Sequence, residues 1–138
     1  MRILLLDDDP FMLELLADMI AELGAHTVLR ETDGCRALVE LRLRPPDLVI
    51  CDLSMPVMDG IDFLRLAAAQ QYAGCLVLLS GVDTAVLRTA ARLAQAQGLH
   101  ILDACPKPLE AEVLAGLLAR AAAHCAPPPA ALSDQLDN

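Results

Sequence analysis

Short apolar runs alternate along the chain with longer stretches in which apolar residues recur every three or four positions. The runs predict strands over Arg2–Leu6, Thr27–Glu31, Asp47–Cys51, Cys75–Leu79 and His100–Asp103. Several of them (ILLL, LVI, LVLL) are nearly continuous, the signature of strands covered on both faces. The first helical stretch puts Met12, Leu15, Leu16, Met19, Ile20 and Leu23 on one face and Glu14, Asp18 and Glu22 on the other. Asp9 suits its N-cap, Pro10 its first turn and Gly24 its stop. Further helices are predicted at Gly34–Leu43, Ile61–Gln71, Thr84–Gln97 and Leu109–His124.

Strand and helix therefore alternate five times, which implies an α/β domain with a parallel sheet, right-handed crossovers and helices on both faces. Ligands of such sheets bind beyond the carboxyl ends of the strands, where the strand order reverses. Asp7 and Asp8 end the first strand and Asp52 ends the third, so with the order 2-1-3-4-5 these acids converge. After His124 the pattern stops. APPPAALSDQLDN opens on a proline run that favours extended polyproline II, so residues 1–125 read as one domain and 126–138 as a linker or tail.

Composition narrows the classes. The apolar fraction of 56% supports a packed core, and with only 2% aromatic residues that core must be Leu, Val, Ile and Ala. No apolar run reaches the length of a membrane span, and no signal-peptide pattern is present, so a cytoplasmic location with no membrane partner is expected. Five widely spaced cysteines without a C-x-x-C read as small, mostly buried thiols, and with three scattered histidines a His/Cys metal site has little support. A net charge of −9 opposes nonspecific nucleic-acid binding but accommodates a hard cation or a basic protein partner.

Asp7, Asp8 and Asp9 then need a reason. Two carboxylates about 4 Å apart repel by roughly 4 kcal/mol at an effective dielectric of 20. Asp9 is explained by capping, and the Asp7–Asp8 pair alone fits a turn or cap as well as a cation site. Asp52, Ser80 and Lys107, each taken singly, read as a structural acid, an ordinary strand-end serine and a solvated charge. Asp59 and Gly60 read as a turn and a helix start, and Glu14, Asp18 and Glu22 as a solvated face. Jointly the strand-end residues say more. Acids of this kind suit Mg²⁺, which takes one or two carboxylates, keeps waters and recruits phosphate oxygens. A hydroxyl and an ammonium suit phosphoryl oxygens, and a carboxylate can itself be the nucleophile.

LLLDDDP, ICDLSMPVMDG, LLSG and PKP, in this order and spacing, make the chain resemble the receiver domains of two-component response regulators over Met1 to Cys125. The resemblance implies a flavodoxin-like doubly wound fold and a phosphoacceptor role for Asp52, with a sensor histidine kinase or phosphotransfer protein as donor. It implies Mg²⁺ held by Asp7 through water, by Asp8 and Asp52, and by the Ser54 carbonyl. Ser80 would hydrogen-bond the phosphoryl group, Lys107 would pair with it, and the Lys107–Pro108 peptide would be cis. On this reading the chain is a regulatory phosphoacceptor, with any output enzyme elsewhere.

Two departures stand out. Many receivers carry an aromatic residue three positions before the lysine, where this chain has Ala104, so that route of switching is closed. Val82, two past Ser80, is poorly suited to hold an attacking water, which implies slow phosphate loss. GVDTAVLRTAARLAQAQGLHILDACPKPL also resembles receivers that precede a cyclic di-GMP phosphodiesterase domain of the EAL type. Leu87 and Leu93, in Ala-rich surroundings, fit either a homodimer contact through the fourth and fifth helices or the core. Other classes fare worse. A haloacid-dehalogenase-like phosphatase expects a second acid two residues after the nucleophile, where Ser54 stands, and a flavodoxin-like cofactor binder expects a Ser/Thr/Gly loop in place of DDDP. A receiver-like interaction module that is never phosphorylated is the remaining alternative.

Overall fold

The computed structural model describes residues 1–54, 60–81 and 84–125. Asp59, Val82 and the proline-rich segment lie outside them. Ten elements alternate: β1 (Arg2–Leu6), α1 (Pro10–Leu23), β2 (Thr27–Glu31), α2 (Gly34–Leu43), β3 (Leu48–Asp52), α3 (Gly60–Ala69), β4 (Cys75–Ser80), α4 (Thr84–Ala96), β5 (His100–Pro106) and α5 (Ala111–Cys125). The strands form one parallel sheet in the order β2-β1-β3-β4-β5, as expected.

Period-two alternation divides the apolar strand residues between two cores. Ile3, Leu5, Leu48, Ile50, Cys75, Val77 and Leu79 face α1 and α5. Leu4, Leu6, Val49, Cys51, Leu76 and Leu78 face the other layer, formed by α2, α3 and α4. Every residue of β3 and β4 is buried, which explains why those runs are apolar up to their terminal Asp52 and Ser80. The edge strands differ. β2 is only half-buried, and β5 alternates exposed and buried positions. β5 runs three residues past its expected end at Asp103, with a register shift that leaves Leu102 unpaired between Ile101 and Asp103.

The expected face of α1 needs correcting. Its buried residues are Leu13, Leu16, Ala17 and Ile20, at the i, i+3, i+4, i+7 spacing, while Leu15 and Leu23 are exposed. The helix is apolar on so much of its circumference that pattern alone does not choose the seam. Asp9 caps it as expected, its carboxylate accepting the Phe11 N–H at 3.0 Å. Leu87 belongs to the core, whereas Leu93 is exposed. Among the described residues no helix is long and apolar enough to cross a membrane.

Candidate functional site: an acidic pocket with one lysine

The strand order puts the ends of β1 and β3 side by side, with Leu6 paired to Cys51. Asp7 and Asp52, one step beyond that pair, are each only 2% exposed. Backbone bonds lock the rim: the Leu53 N–H donates to the Leu79 carbonyl at 2.9 Å, and the Lys107 N–H to the Ser80 carbonyl at 2.9 Å. β4 thereby carries both the loop after Asp52 and the segment that delivers Lys107. The Lys107–Pro108 peptide is cis, as expected.

The side chains converge. Lys107 Nζ lies 3.0 Å from Asp7 Oδ2 and 3.3 Å from Asp52 Oδ2, so one ammonium bridges two buried carboxylates. Asp7 Oδ1 accepts the Asp9 N–H at 2.9 Å, and Asp52 Oδ1 accepts the Ser54 N–H at 3.1 Å. Asp8 is exposed at the mouth and offers an oxygen within 4.8 Å of oxygens from both Asp7 and Asp52. Ser80, at the end of β4, is buried, and Ser54 is exposed at the pocket edge. Five of the six residues singled out in the sequence thus have their side chains or strand ends at one rim, and Ser54 enters through its backbone.

The electrostatics follow from burial. Desolvation raises the pKa of Asp52, the Ser54 N–H and Lys107 oppose that rise, and the neighbouring Asp7 adds to it. For Lys107, burial alone would lower the pKa, but the bond to Asp7 and the charges of both acids outweigh it and leave it raised. Cys51, beside Asp52, is fully buried, and burial followed by the charges of Asp52 and Asp7 pushes its thiol far up. It stays protonated and is a poor nucleophile. Three carboxylates against one ammonium leave the pocket with excess negative charge. An all-oxygen donor set of this sign, open on the Asp8 side, fits a hard divalent cation such as Mg²⁺.

The fold gathers Cys75, His100 and His124 at the opposite end of the sheet, although nothing in their spacing signals it. Three of the five cysteines are buried, as expected, while Cys35 and Cys125 are exposed.

Comparison with known proteins agrees with this geometry. The profile of the response regulator receiver domain matches residues 3–118. The cyclic di-GMP phosphodiesterase RocR of Pseudomonas aeruginosa is 30% identical over 121 residues, which cover 87% of this chain and 31% of RocR. The DNA-binding response regulator MtrA of Mycolicibacterium smegmatis is 39% identical over 83 residues, 60% of this chain and 36% of MtrA. The chain thus spans about a third of the length of these relatives, whose DNA-binding or phosphodiesterase names describe longer proteins. A crystal structure of a response regulator from Colwellia psychrerythraea superposes with a TM-score of 0.76 at 32% identity, covering 88% of this chain and 97% of that one. By sequence, sheet order and pocket alike, the chain belongs to the response regulator receiver domain family.

Proposed function

We propose that Asp52 is the phosphoacceptor of a two-component switch, charged by a sensor histidine kinase or phosphotransfer protein with which it meets in the cytoplasm. The observation that carries this reading is the placement of Lys107 Nζ within 3.3 Å of both Asp7 and Asp52 carboxylates at the sheet's switch point. Asp52 attacks the phosphorus of a phosphohistidine. The new P–O bond forms as the P–N bond breaks, and the imidazole leaves with the electron pair and takes up a proton. When bound, Mg²⁺ would be held by Asp8, Asp52 and the Ser54 carbonyl, and by Asp7 through water, and would neutralise charge on the phosphoryl oxygens. Lys107 then exchanges part of its pairing with Asp52 for a phosphoryl oxygen, and Ser80 donates its hydroxyl to another. The chemistry leaves Asp52 more negative and Ser80 and Lys107 re-paired, which is a switch and not a turnover.

Residues 1–125 form the receiver on this reading, and 126–138 lead toward an output. The output is proposed to be a cyclic di-GMP phosphodiesterase of the EAL type, supported by the match to RocR and by the sequence from α4 to the PKP motif. The test is incubation of the full chain with Mg²⁺ and acetyl phosphate or phosphoramidate, read by intact mass. A single phosphoryl adduct, absent without Mg²⁺ and absent in Asp52→Asn, is expected. An unmodified chain would instead favour an interaction module, and continuous hydrolysis of a generic phosphate ester a phosphatase.

A further inference from the structure

The end of the sheet opposite the acidic pocket carries a second convergence of side chains. Cys75 opens β4 and His100 opens β5, and the two are direct partners in the sheet register. His124 stands in the last turn of α5 and crosses to meet them. One ligand atom from each of the three lies within 4.8 Å of the others. The imidazoles of His100 and His124 stack with centroids 4.2 Å apart and planes 12° from parallel. Cys75 is fully buried, whereas both histidines are exposed, so the group has one fixed anchor and two adjustable arms. At about 3.3 Å per residue, Cys75 lies roughly 16 Å along β4 from Ser80, so an ion here does not share the acidic pocket.

We propose that Cys75, His100 and His124 form a binding site for a borderline-soft divalent cation, zinc in the first instance, completed by water. One thiolate and two imidazoles are a donor set that such ions prefer over Mg²⁺ or Ca²⁺, and three protein ligands plus water make an open tetrahedral site. Ligand atoms around tetrahedral zinc sit roughly 3.5 Å apart, given metal–nitrogen distances of 2.0–2.1 Å and a metal–sulfur distance of about 2.3 Å. With ligand atoms now within 4.8 Å of one another, the cluster must therefore close by up to about 1.3 Å. The stacked rings direct their lone pairs in nearly parallel planes, so they must rotate apart until those lone pairs meet, a motion that exposed side chains can make. His124 Nε2 lies 3.4 Å from the Ala73 carbonyl, a backbone contact of the kind that orients ligating imidazoles. Desolvation, then His124 and Arg120, lower the pKa of His100, which favours its neutral ring, whereas burial pushes the Cys75 thiol up to about 11, so the ion must displace that proton to solvent as it binds. The Arg120 guanidinium is engaged by the Leu102 carbonyl at 2.7 Å. Occupancy fastens the last turn of α5 to the first residues of β4 and β5.

Zinc titration of the chelator-stripped full chain by calorimetry tests this, with Co²⁺ absorption reporting thiolate ligation. One ion per chain is expected, undisturbed by excess Mg²⁺, with a thiolate-to-cobalt charge-transfer band that disappears in Cys75→Ser. Loss of an outer-sphere partner alone weakens metal sites about 10–100-fold, so His100→Gln and His124→Gln should each weaken binding by at least about tenfold. Both substitutions are at exposed positions and should leave the circular dichroism of the folded chain in place, which separates lost affinity from lost folding. Asp8→Asn should leave the affinity unchanged. The proposal fails if no 1:1 binding is found below millimolar zinc, if both histidine variants bind as the parent does, or if Asp8→Asn abolishes the ion.

Discussion

Replacing Gly60 by Ala sets two effects of opposite sign against each other. Gly60 opens α3, and its N–H donates to the Leu53 carbonyl at 3.1 Å. A β-carbon there would stand 2.5 Å from Leu53 Cα and 2.9 Å from the Asp52 carbonyl oxygen, both backbone atoms. Reaching an ordinary contact of about 3.4 Å requires the helix start and the end of β3 to separate by about 0.9 Å. Overpacking of this kind costs about 1–3 kcal/mol. The gain in helix propensity is at most about 1 kcal/mol, and less at a first-turn position. The clash should therefore win, and Gly60→Ala should lower stability by about 1–2 kcal/mol. Because the moved backbone carries Asp52, phosphorylation by acetyl phosphate should also slow. Urea unfolding read by circular dichroism, with the adduct followed by intact mass, measures both. A variant as stable as the parent and equally fast to phosphorylate would refute the idea that close helix–strand approach holds Asp52 in place.

Asp52→Asn should stabilise the chain. Since burial raises the Asp52 pKa in the fold, the native state holds its proton more tightly than the unfolded chain does. Stability from this group is therefore fully present below the unfolded value of 3.8 and is lost as pH rises through the folded pKa. At pH 7 the variant should be more stable than the parent, because the buried charge is gone while Lys107 keeps Asp7 as its partner. The gain should shrink toward pH 4; a variant less stable than the parent at pH 7 would contradict it. Tyr72→Phe tests the far end of the sheet. The buried Tyr72 hydroxyl donates to the Pro46 carbonyl at 2.7 Å, and its loss should cost about 1–2 kcal/mol in urea while leaving the phosphorylation rate unchanged.

The acidic pocket was legible because its residues sit at strand ends, and strand ends show in the sequence as the points where apolar runs stop. The central strands were legible for the same reason, burial on both faces leaving them no polar interruption. The seam of α1 was not, since Leu15 and Leu23 are apolar yet exposed. Nor was the full length of β5, whose edge position admits the exposed Asp103 ahead of the buried Cys105 and so breaks the run. Cys75, His100 and His124 were invisible for another reason. Only the lateral pairing of β4 with β5, and the return of α5 across them, brings these distant positions together. Periodicity reports which face a residue takes, not which neighbour it meets.

Side chains alternate between two apolar layers along β1 and β3, and the acids continue the same backbone one step beyond. Core and pocket are thus kept by a single count of residues. Deleting one residue within β3 would send Ile50 and Cys51 to each other's layer and rotate the terminal carboxylate away from Lys107. Sequence drift that preserves this count can rewrite the surface freely, whereas a frame slip inside a strand would cost the molecule its interior and its chemistry together.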